Sequence, residues 1–200
     1  MRDRTLVKQR RDQIVRAAID VFSRRGYDKA TVREVAKAAG LSSGSLYCYI
    51  RAKEDMLYLI FDKLITTKRE EVCRAIAGLE DPMERARAAI RAELEVAHRH
   101  REELVLLYRE SHSLDRGSLQ EVMDRESEYA QFLQSVLEDG YRQGVFQGDA
   151  GLSADVLLYL SSILALRWWR LRDRFSSQEA VDGLSAFVVR GLGMPEKGGV

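Results

Sequence analysis

Residues 31–53 combine the residue types and the spacing that a DNA-reading pair of helices requires. Thr31, followed three residues later by Glu34, forms a capping box, which predicts that a helix begins at this point. Gly40 can adopt the left-handed backbone conformation that ends such a helix. Ser42 can then cap a second helix. The segment therefore predicts two helices joined by a tight turn.

Three small or apolar residues identify the kind of turn. Ala36 allows the two helices to approach closely, Gly40 makes the bend, and Leu46 seals the pair. This is the spacing of a helix-turn-helix, whose second helix enters the major groove of DNA. An ordinary helical hairpin is the alternative interpretation of the same pattern.

The polar residues of this segment have expected roles at DNA. Thr31 and Lys53 stand at predicted helix starts, where free backbone amides and the helix dipole attract phosphate. Gly44 permits close approach to the groove. Hydroxyls of Tyr47 and Tyr49 are expected at phosphates, which set register rather than sequence. The remaining expected contacts, at base edges or in the leading turn, come from Arg33, Ser42, Ser43, Ser45 and Cys48.

Base recognition by the second helix is expected to be unselective. Between Ser42 and Ile50 there is no Arg, Lys, Asn or Gln, the side chains that read guanine or adenine through paired hydrogen bonds. We therefore expect much of the sequence preference to come from Arg33, from water and from DNA deformability. Ser42 acting only as a cap is a further alternative, as is Tyr49 serving half as core.

The charge distribution favours a polyanionic partner for this end of the chain. The 200-residue chain has a formal net charge of only +1. Residues 1–53, however, hold 13 Lys and Arg and 5 Asp and Glu, a net charge of +8, and residues 54–200 carry a net charge of −7. A basic head on an acidic body is typical of nucleic-acid binding that weakens steeply with salt. A merely solvated basic face is the alternative.

Composition and periodicity predict an all-α chain of about nine helices. Only two prolines occur in 200 residues, and 32% of the residues are charged. We expect residues 1–53 to form a three-helix DNA-binding head and residues 54–200 a helical ligand-binding and dimerisation body, which a long helix opening at Lys53 joins to the head.

The sequence further predicts a cytoplasmic protein without membrane contact. Cys48 and Cys73 lie in predicted helices without CxxC or metal-ligand spacing, as expected of reduced thiols. The basic N-terminus lacks the apolar stretch of a signal peptide. The longest apolar-rich run, residues 156–166, is too short to span a bilayer.

The predicted eighth helix, residues 152–172, contains the run VLLYLSSILAL, which is apolar on every side. Such a helix must be buried on every side, and a body of this size cannot easily achieve that within one chain. With the ninth predicted helix, residues 177–192, it is expected to form a four-helix homodimer interface. The expected interface residues are Leu157, Leu160, Leu164, Leu184, Phe187 and Val188. A central core helix is the alternative.

The body carries a surplus of apolar and aromatic residues, which together suit a cavity for a small, largely apolar effector. Each of them taken singly is equally compatible with ordinary core. The expected ligand-binding residues are Phe61, Ile65, Ile90, Leu94, Leu107, Tyr108, Ser111, Tyr129, Phe132 and Trp168.

No cofactor, metal site or catalytic group is expected. Glu95, His98 and Glu102 would share a helical face, but isolated histidines are far commoner than metal ligands. No phosphate-binding glycine loop and no catalytic triad order stands out.

The capping box at Thr31, the turn at Gly40 and the run from Gly44 to Tyr47, together with Gly26 and Tyr27 before them, form a pattern of many points. On this pattern the sequence resembles, across about residues 10–57, the TetR family of bacterial regulators. The remaining three quarters of the chain are similar to that family only in the number, length and order of helices. The resemblance implies an all-helical dimer that binds a palindromic operator and releases it when a small molecule occupies the body. The matching positions are Ile14, Ala18, Phe22, Gly26, Tyr27, residues 31–36, residues 39–42, residues 44–47, Tyr49, Lys53, Glu54 and Leu57.

Two positions depart from the family pattern. Ala52 stands where the family has Ser or Thr, so we expect the loss of a helix cap worth about 1 kcal/mol and of one phosphate contact. Ile50 stands where the family favours Phe, which is a conservative change in the core.

The function predicted from the sequence is a ligand-responsive transcriptional repressor rather than an enzyme. Its expected partners are double-stranded operator DNA, a second copy of the chain, and an effector such as an acyl-CoA-like thioester or a lipophilic drug. One alternative is a helical ligand carrier or enzyme whose basic head contacts acidic partners. The other is a constitutive DNA architectural protein with a solid body.

Overall fold

The computed structural model describes the backbone of residues 2–192 and the side chains of residues 6–192. Within that range the chain forms helices and turns and no strand, which confirms the all-α prediction. A 3₁₀ turn, Ser111–Ser113, follows α6. The helices are α1 (Arg2–Arg25), α2 (Val32–Ala38), α3 (Ser43–Leu46), α4 (Asp55–Ile76), α5 (Pro82–Arg99), α6 (Arg101–Glu110), α7 (Arg116–Arg142), α8 (Ala150–Leu166), α9 (Trp168–Leu171) and α10 (Ser177–Gly191).

Three helix boundaries differ from the expectation. α3 is a single turn, because the backbone after Leu46 continues with shorter i→i+3 hydrogen bonds such as Tyr49 N to Leu46 O, 2.9 Å. α4 begins at Asp55 rather than at Lys53. The predicted eighth helix is divided into α8 and α9 at Arg167, whose ψ of 6° departs from the helical value.

The chain divides into two compact units, which we call the first and the second unit. Within the described backbone, the first comprises residues 2–64 and 105–124, and the second comprises residues 65–104 and 125–192. The first unit is larger than the expected head, because side chains from the beginning of α4 and from α6 complete its core. The functional division after Lys53 therefore stays a prediction, distinct from this division by packing.

The core of the first unit joins the apolar stripe of α1 to the helix-turn-helix. Ile14 and Ala18 are fully buried, as are Val35 and Leu46. Leu107 packs against this core from α6. Burial of these side chains is what holds α2 and α3 in place, since helices this short are not stable alone.

In the second unit α5 packs closely against α8 and α10. α5 is an amphipathic helix whose buried face includes Ile90 and Leu94, both with 0% exposure. Its start is fixed by Asp81, which accepts a hydrogen bond from Glu84 N at 2.9 Å, and by Pro82 in the first turn. α8, in contrast, is buried on one face only within the single chain.

Candidate nucleic-acid interface and ligand cleft

The turn between α2 and α3 has the geometry that its residues predict. Gly40 has a φ of +65°, the left-handed region that a side chain would disfavour. Leu41 N donates to Ala36 O at 2.9 Å and closes the turn. Leu46 is fully buried and Ala36 is 1% exposed, so the two helices meet through these side chains.

The polar residues in and beside α3 form a small, largely exposed surface. Ser42 Oγ accepts from Ser45 N at 3.0 Å and lies 2.8 Å from Ser45 Oγ, so Ser42 caps the helix. Tyr49 is half-buried and packs against the core of the first unit, which agrees with the alternative that it is partly core. Ser43 is also half-buried. The predicted contact residues that are exposed are Thr31, Arg33, Ser42, Gly44, Ser45, Tyr47 and Cys48.

Glu34 organises the start of α2. Its carboxylate accepts from Thr31 N and from Thr31 Oγ1, both at 2.9 Å, and from Arg25 Nη2 at 2.6 Å. These contacts lower the pKa of Glu34, chiefly the backbone hydrogen bond from Thr31, then the Thr31 hydroxyl and Arg25. The Thr31 hydroxyl therefore serves the helix cap, and this role is additional to the phosphate contact predicted for it.

Asp55, in the first turn of α4, binds backbone donors that precede the helix. Asp55 Oδ2 accepts from Arg51 N at 2.5 Å and from Ala52 N at 3.1 Å. A carboxylate in the first turn thus satisfies two backbone donors just before the helix. These bonds do not restore the cap that a Ser or Thr at position 52 would provide, because such a cap accepts from amides two or three residues further along the chain.

Lys53 lies in a different environment from the one expected. Its ammonium group donates to backbone carbonyl oxygens of Tyr27, Asp28 and Ala30 and lies 4.2 Å from the centroid of the Tyr27 ring. Burial is the largest of the effects that raise the pKa of Tyr27, followed by the charges of Glu54 and other carboxylates.

A cleft of about 650 Å³ in the second unit is lined by residues of α4 and α7. Its apolar lining includes the buried residues Ile65 and Tyr129, both of which were predicted to bind ligand. The lining as a whole is more highly charged than the largely apolar cavity expected from the sequence. The other residues of this α4–α7 cleft are Thr66, Arg69, Glu70, Cys73, Arg74, Arg125 and Glu128.

One arginine of the cleft has no carboxylate partner among the described residues. Arg74 pairs with Glu71 at 2.7 Å, and Arg125 pairs with Glu128 at 3.0 Å. Arg69 instead has its guanidinium carbon 4.6 Å from the centroid of the Phe132 ring, which in turn stacks on Tyr129. Arg69 is therefore the cleft cation best placed to pair with a bound anion.

Beneath the cleft lies a buried polar cluster that we call the Glu93 network. Glu93, with 0% exposure, accepts from Lys68 Nζ at 2.6 Å, from Tyr129 Oη at 2.6 Å and from Ser161 Oγ at 2.8 Å. Burial is the largest of the effects that raise the pKa of Tyr129, followed by the charge of Glu93. Tyr129 belongs to both the cleft and the network.

The predicted ligand-binding residues are divided between the two units. Phe61, Leu107, Tyr108 and Ser111 belong to the first unit, where Leu107 serves its core and Tyr108 is 70% exposed. A single helical pattern could not reveal this, because α4 and α6 each cross from one unit to the other. The role of these four residues in ligand binding stays a prediction. In the second unit, Ile90 and Leu94 are fully buried core.

Trp168 packs against His98 rather than lining the cleft. The two ring centroids lie 4.4 Å apart with the planes at 71°, and Nδ1 of His98 is buried and has no hydrogen-bond partner among the described residues. Burial first, and then the charge of Arg101, lower the pKa of His98. Over the described part of the chain, no group of three or more His, Cys, Asp or Glu side chains is arranged to hold a metal ion.

Two family models cover most of the chain. Residues 14–58 match the model described as bacterial regulatory proteins of the tetR family. Residues 79–192, more than half of the chain, match the model described as the tetracyclin repressor-like C-terminal domain. The chain belongs to the TetR family. It is therefore a DNA-binding transcriptional regulator and not an enzyme.

Individual TetR-family proteins agree with this assignment. The HTH-type transcriptional regulator HbdR of Aromatoleum sp. (strain CIB) is 31% identical over 181 residues, 90% of this chain and 79% of that protein. The HTH-type transcriptional repressor KstR2 of Mycobacterium tuberculosis is 25% identical over 93% of this chain and 94% of its own length. A tetR-family regulatory protein from Rhodococcus RHA1 shares the fold with a TM-score of 0.78, at 21% identity, over 94% of this chain and 98% of that one.

The dimer residues predicted for this TetR-family chain fall into two groups. Leu157, Leu164 and Val188 are at most 4% exposed within the single chain, so they are core residues. Their predicted place in the dimer interface is corrected accordingly. Leu160 and Leu184 are half-buried, and Phe187 is 58% exposed. The sequence could not separate these groups, because α8 is apolar on both its inner and its outer face.

An exposed apolar surface remains on α8 and α10. Leu152, Val156 and Tyr159 lie at helical spacing on α8 and are 65%, 44% and 72% exposed. We call these residues, with Phe187 of α10, the α8–α10 surface. Leu152, Val156 and Tyr159 were not named in the sequence-based prediction, although their spacing within the apolar run is visible there. Across the described residues, no helix is both long and apolar enough to cross a membrane.

Proposed function

We propose that this TetR-family regulator binds a palindromic operator as a homodimer and represses transcription until a small amphipathic molecule occupies the α4–α7 cleft. The observation that carries the proposal is the helix-turn-helix, whose α3 presents an exposed polar surface at the basic end of the chain. The exposed residues Arg33 on α2 and Ser45, Tyr47 and Cys48 in or after α3 are the proposed DNA contacts, together with the half-buried Ser43.

The homodimer is supported by the α8–α10 surface. Large apolar side chains that lie exposed on neighbouring helices favour association, because a second copy removes them from water. A twofold axis through this surface would give two reading heads in opposite orientations, as a palindrome requires.

The effector class follows from the mixed lining of the cleft. An acyl thioester of coenzyme A combines phosphate groups with an apolar chain, and these match Arg69 and the Ile65 and Tyr129 lining respectively. A neutral lipophilic drug would leave Arg69 without an anionic partner. Among structures of the same fold, AibR, 23% identical with a TM-score of 0.71, is in complex with isovaleryl coenzyme A and operator DNA.

Dimerisation and operator binding are tested by placing a charge on the α8–α10 surface. We expect Tyr159→Glu to yield monomers in sedimentation velocity and to abolish the preference of the protein for a palindromic duplex selected from a random library. The matched control is Leu119→Glu, which changes an apolar residue of the first unit that is 39% exposed. A dimeric Tyr159→Glu protein with normal operator preference would rule out this interface.

The effector site is tested with hexanoyl-CoA, free coenzyme A and hexanol as probes in calorimetry and in operator release. We expect Arg69→Met to weaken hexanoyl-CoA binding about fivefold, equivalent to roughly 1 kcal/mol for an exposed ion pair. The control is Arg142→Met, which removes an exposed arginine of α7 outside the cleft. Equal affinities of the two variants for hexanoyl-CoA would count against the cleft.

A further inference from the structure

The ammonium group of Lys53 is fully engaged inside the first unit. It donates to Tyr27 O at 2.9 Å, to Ala30 O at 3.3 Å and to Asp28 O at 3.4 Å. A lysine ammonium has three protons to donate, so these three carbonyl oxygens account for all of them. The same group lies 4.2 Å from the Tyr27 ring centroid, which adds a cation–π contact.

The three carbonyl oxygens belong to the turn that leads from α1 into α2. Lys53 itself lies in the segment that leads from α3 into α4. Its side chain therefore joins the entry and the exit of the α2–α3 segment, across 26 residues of sequence. Since α3 has only one helical turn, its orientation depends on how these two ends are held.

We propose that Lys53 is a positioning residue of the DNA-reading head, which orients α3 by capping the α1–α2 turn and makes no cationic contact with DNA phosphate. This inference rests on the proposed operator binding. It separates Lys53 from the exposed cations of α2, Arg33 and Lys37, whose charged groups face solvent.

The two roles differ in the salt dependence of DNA binding. Each phosphate contact contributes about 0.9 to the slope of log K against log salt concentration. A residue that only positions α3 contributes to affinity and to sequence preference but little to that slope. Lys37 offers a matched control, because it is the same residue type in an exposed position on α2.

The experiment compares wild type, Lys53→Met and Lys37→Met on a selected palindromic duplex and on a random-sequence duplex over a series of NaCl concentrations. For Lys53→Met we expect the wild-type slope, weaker binding at every concentration, and a reduced ratio of selected to random affinity. For Lys37→Met, which removes an exposed cation of the reading head, we expect a slope lower by about 0.9 if Lys37 binds phosphate, and in either case an unchanged ratio. A Lys53→Met slope lower by about 0.9 with an unchanged ratio would overturn the assignment.

A third variant guards against simple unfolding of Lys53→Met. Lys53→Arg keeps the charge and would preserve a phosphate contact, but its planar guanidinium cannot place one proton on each of three carbonyl oxygens arranged around an ammonium. We expect its selected-to-random ratio to fall, while the folded fraction, followed by circular dichroism, stays at the wild-type value. Full wild-type affinity and ratio for Lys53→Arg would overturn the positioning role. Wild-type protein that prefers no duplex sequence would instead overturn the proposed operator binding.

Discussion

Removal of the Lys68 ammonium group tests how strongly the Glu93 network stabilises the second unit. The Lys68 and Glu93 side chains are 4% and 0% exposed, and their charged atoms lie 2.6 Å apart. Removing one partner of a buried ion pair costs about 3–5 kcal/mol, because the other charge stays buried without compensation. Glu93 would keep its hydrogen bonds from Tyr129 and Ser161, so we expect Lys68→Met to fall near the lower limit.

Urea unfolding gives a direct measurement of this loss. With an m-value of about 2–3 kcal/mol per molar urea, a loss of about 3 kcal/mol lowers the midpoint by roughly 1–1.5 M. All variants are compared at one protein concentration, because dimerisation would itself add to the apparent stability.

A matched pair at the surface provides the control. Lys63 lies 3.0 Å from Asp12, with side-chain exposures of 41% and 26%, and Lys63→Met should cost no more than about 1 kcal/mol. Combining Lys68→Met with Glu93→Gln removes both buried charges and should recover part of the loss. Equal urea midpoints for Lys68→Met and Lys63→Met would refute the claim that the buried pair contributes more to the free energy of unfolding than the surface pair.

Two further perturbations test local packing and charge. A Cβ at Gly140 would overlap the ring of Phe146, so Gly140→Ala should lower the free energy of unfolding by about 1–3 kcal/mol, measured in urea. In a Phe146→Leu background this loss should be smaller. If the losses of the two single variants simply added in the double variant, the contact would be contradicted. The backbone hydrogen bond from Thr31 is the main reason that the pKa of Glu34 lies below its ordinary value of 4.5. The ionised carboxylate therefore stabilises the folded first unit above that pH, and this contribution is lost as the pH falls through the lowered pKa. Glu34→Gln should therefore flatten the acid limb of the stability profile of the first unit, and an unchanged limb would exclude this contribution.

The sequence predicted the local features of the reading head well. The capping box of Thr31 and Glu34 and the turn at Gly40 depend on residues within four positions of one another, so the pattern alone specifies them. The hydrogen bonds of Asp55 before α4 were not predicted, although its position in the first turn is visible in the sequence.

The body was harder to predict from the sequence. An apolar residue on a helix can face the core of its own chain, a cleft or a partner, and periodicity treats these three alike. Leu157 and Tyr159 both lie in the apolar run of α8, yet the first is 1% and the second 72% exposed. For the same reason the residues expected to line one cavity are distributed over both units.

The order of residues along the chain determined the helices, their caps and the basic helix-turn-helix, because each of these arises from contacts between near neighbours. Only the tertiary structure decided which partners the individual charged groups have. Lys53 finds its carbonyl partners 23 to 26 residues away, and Glu93 receives its donors from α4, α7 and α8. A buried charge must be satisfied by whatever groups the packed helices bring to it, and that set is known only once the helices are packed.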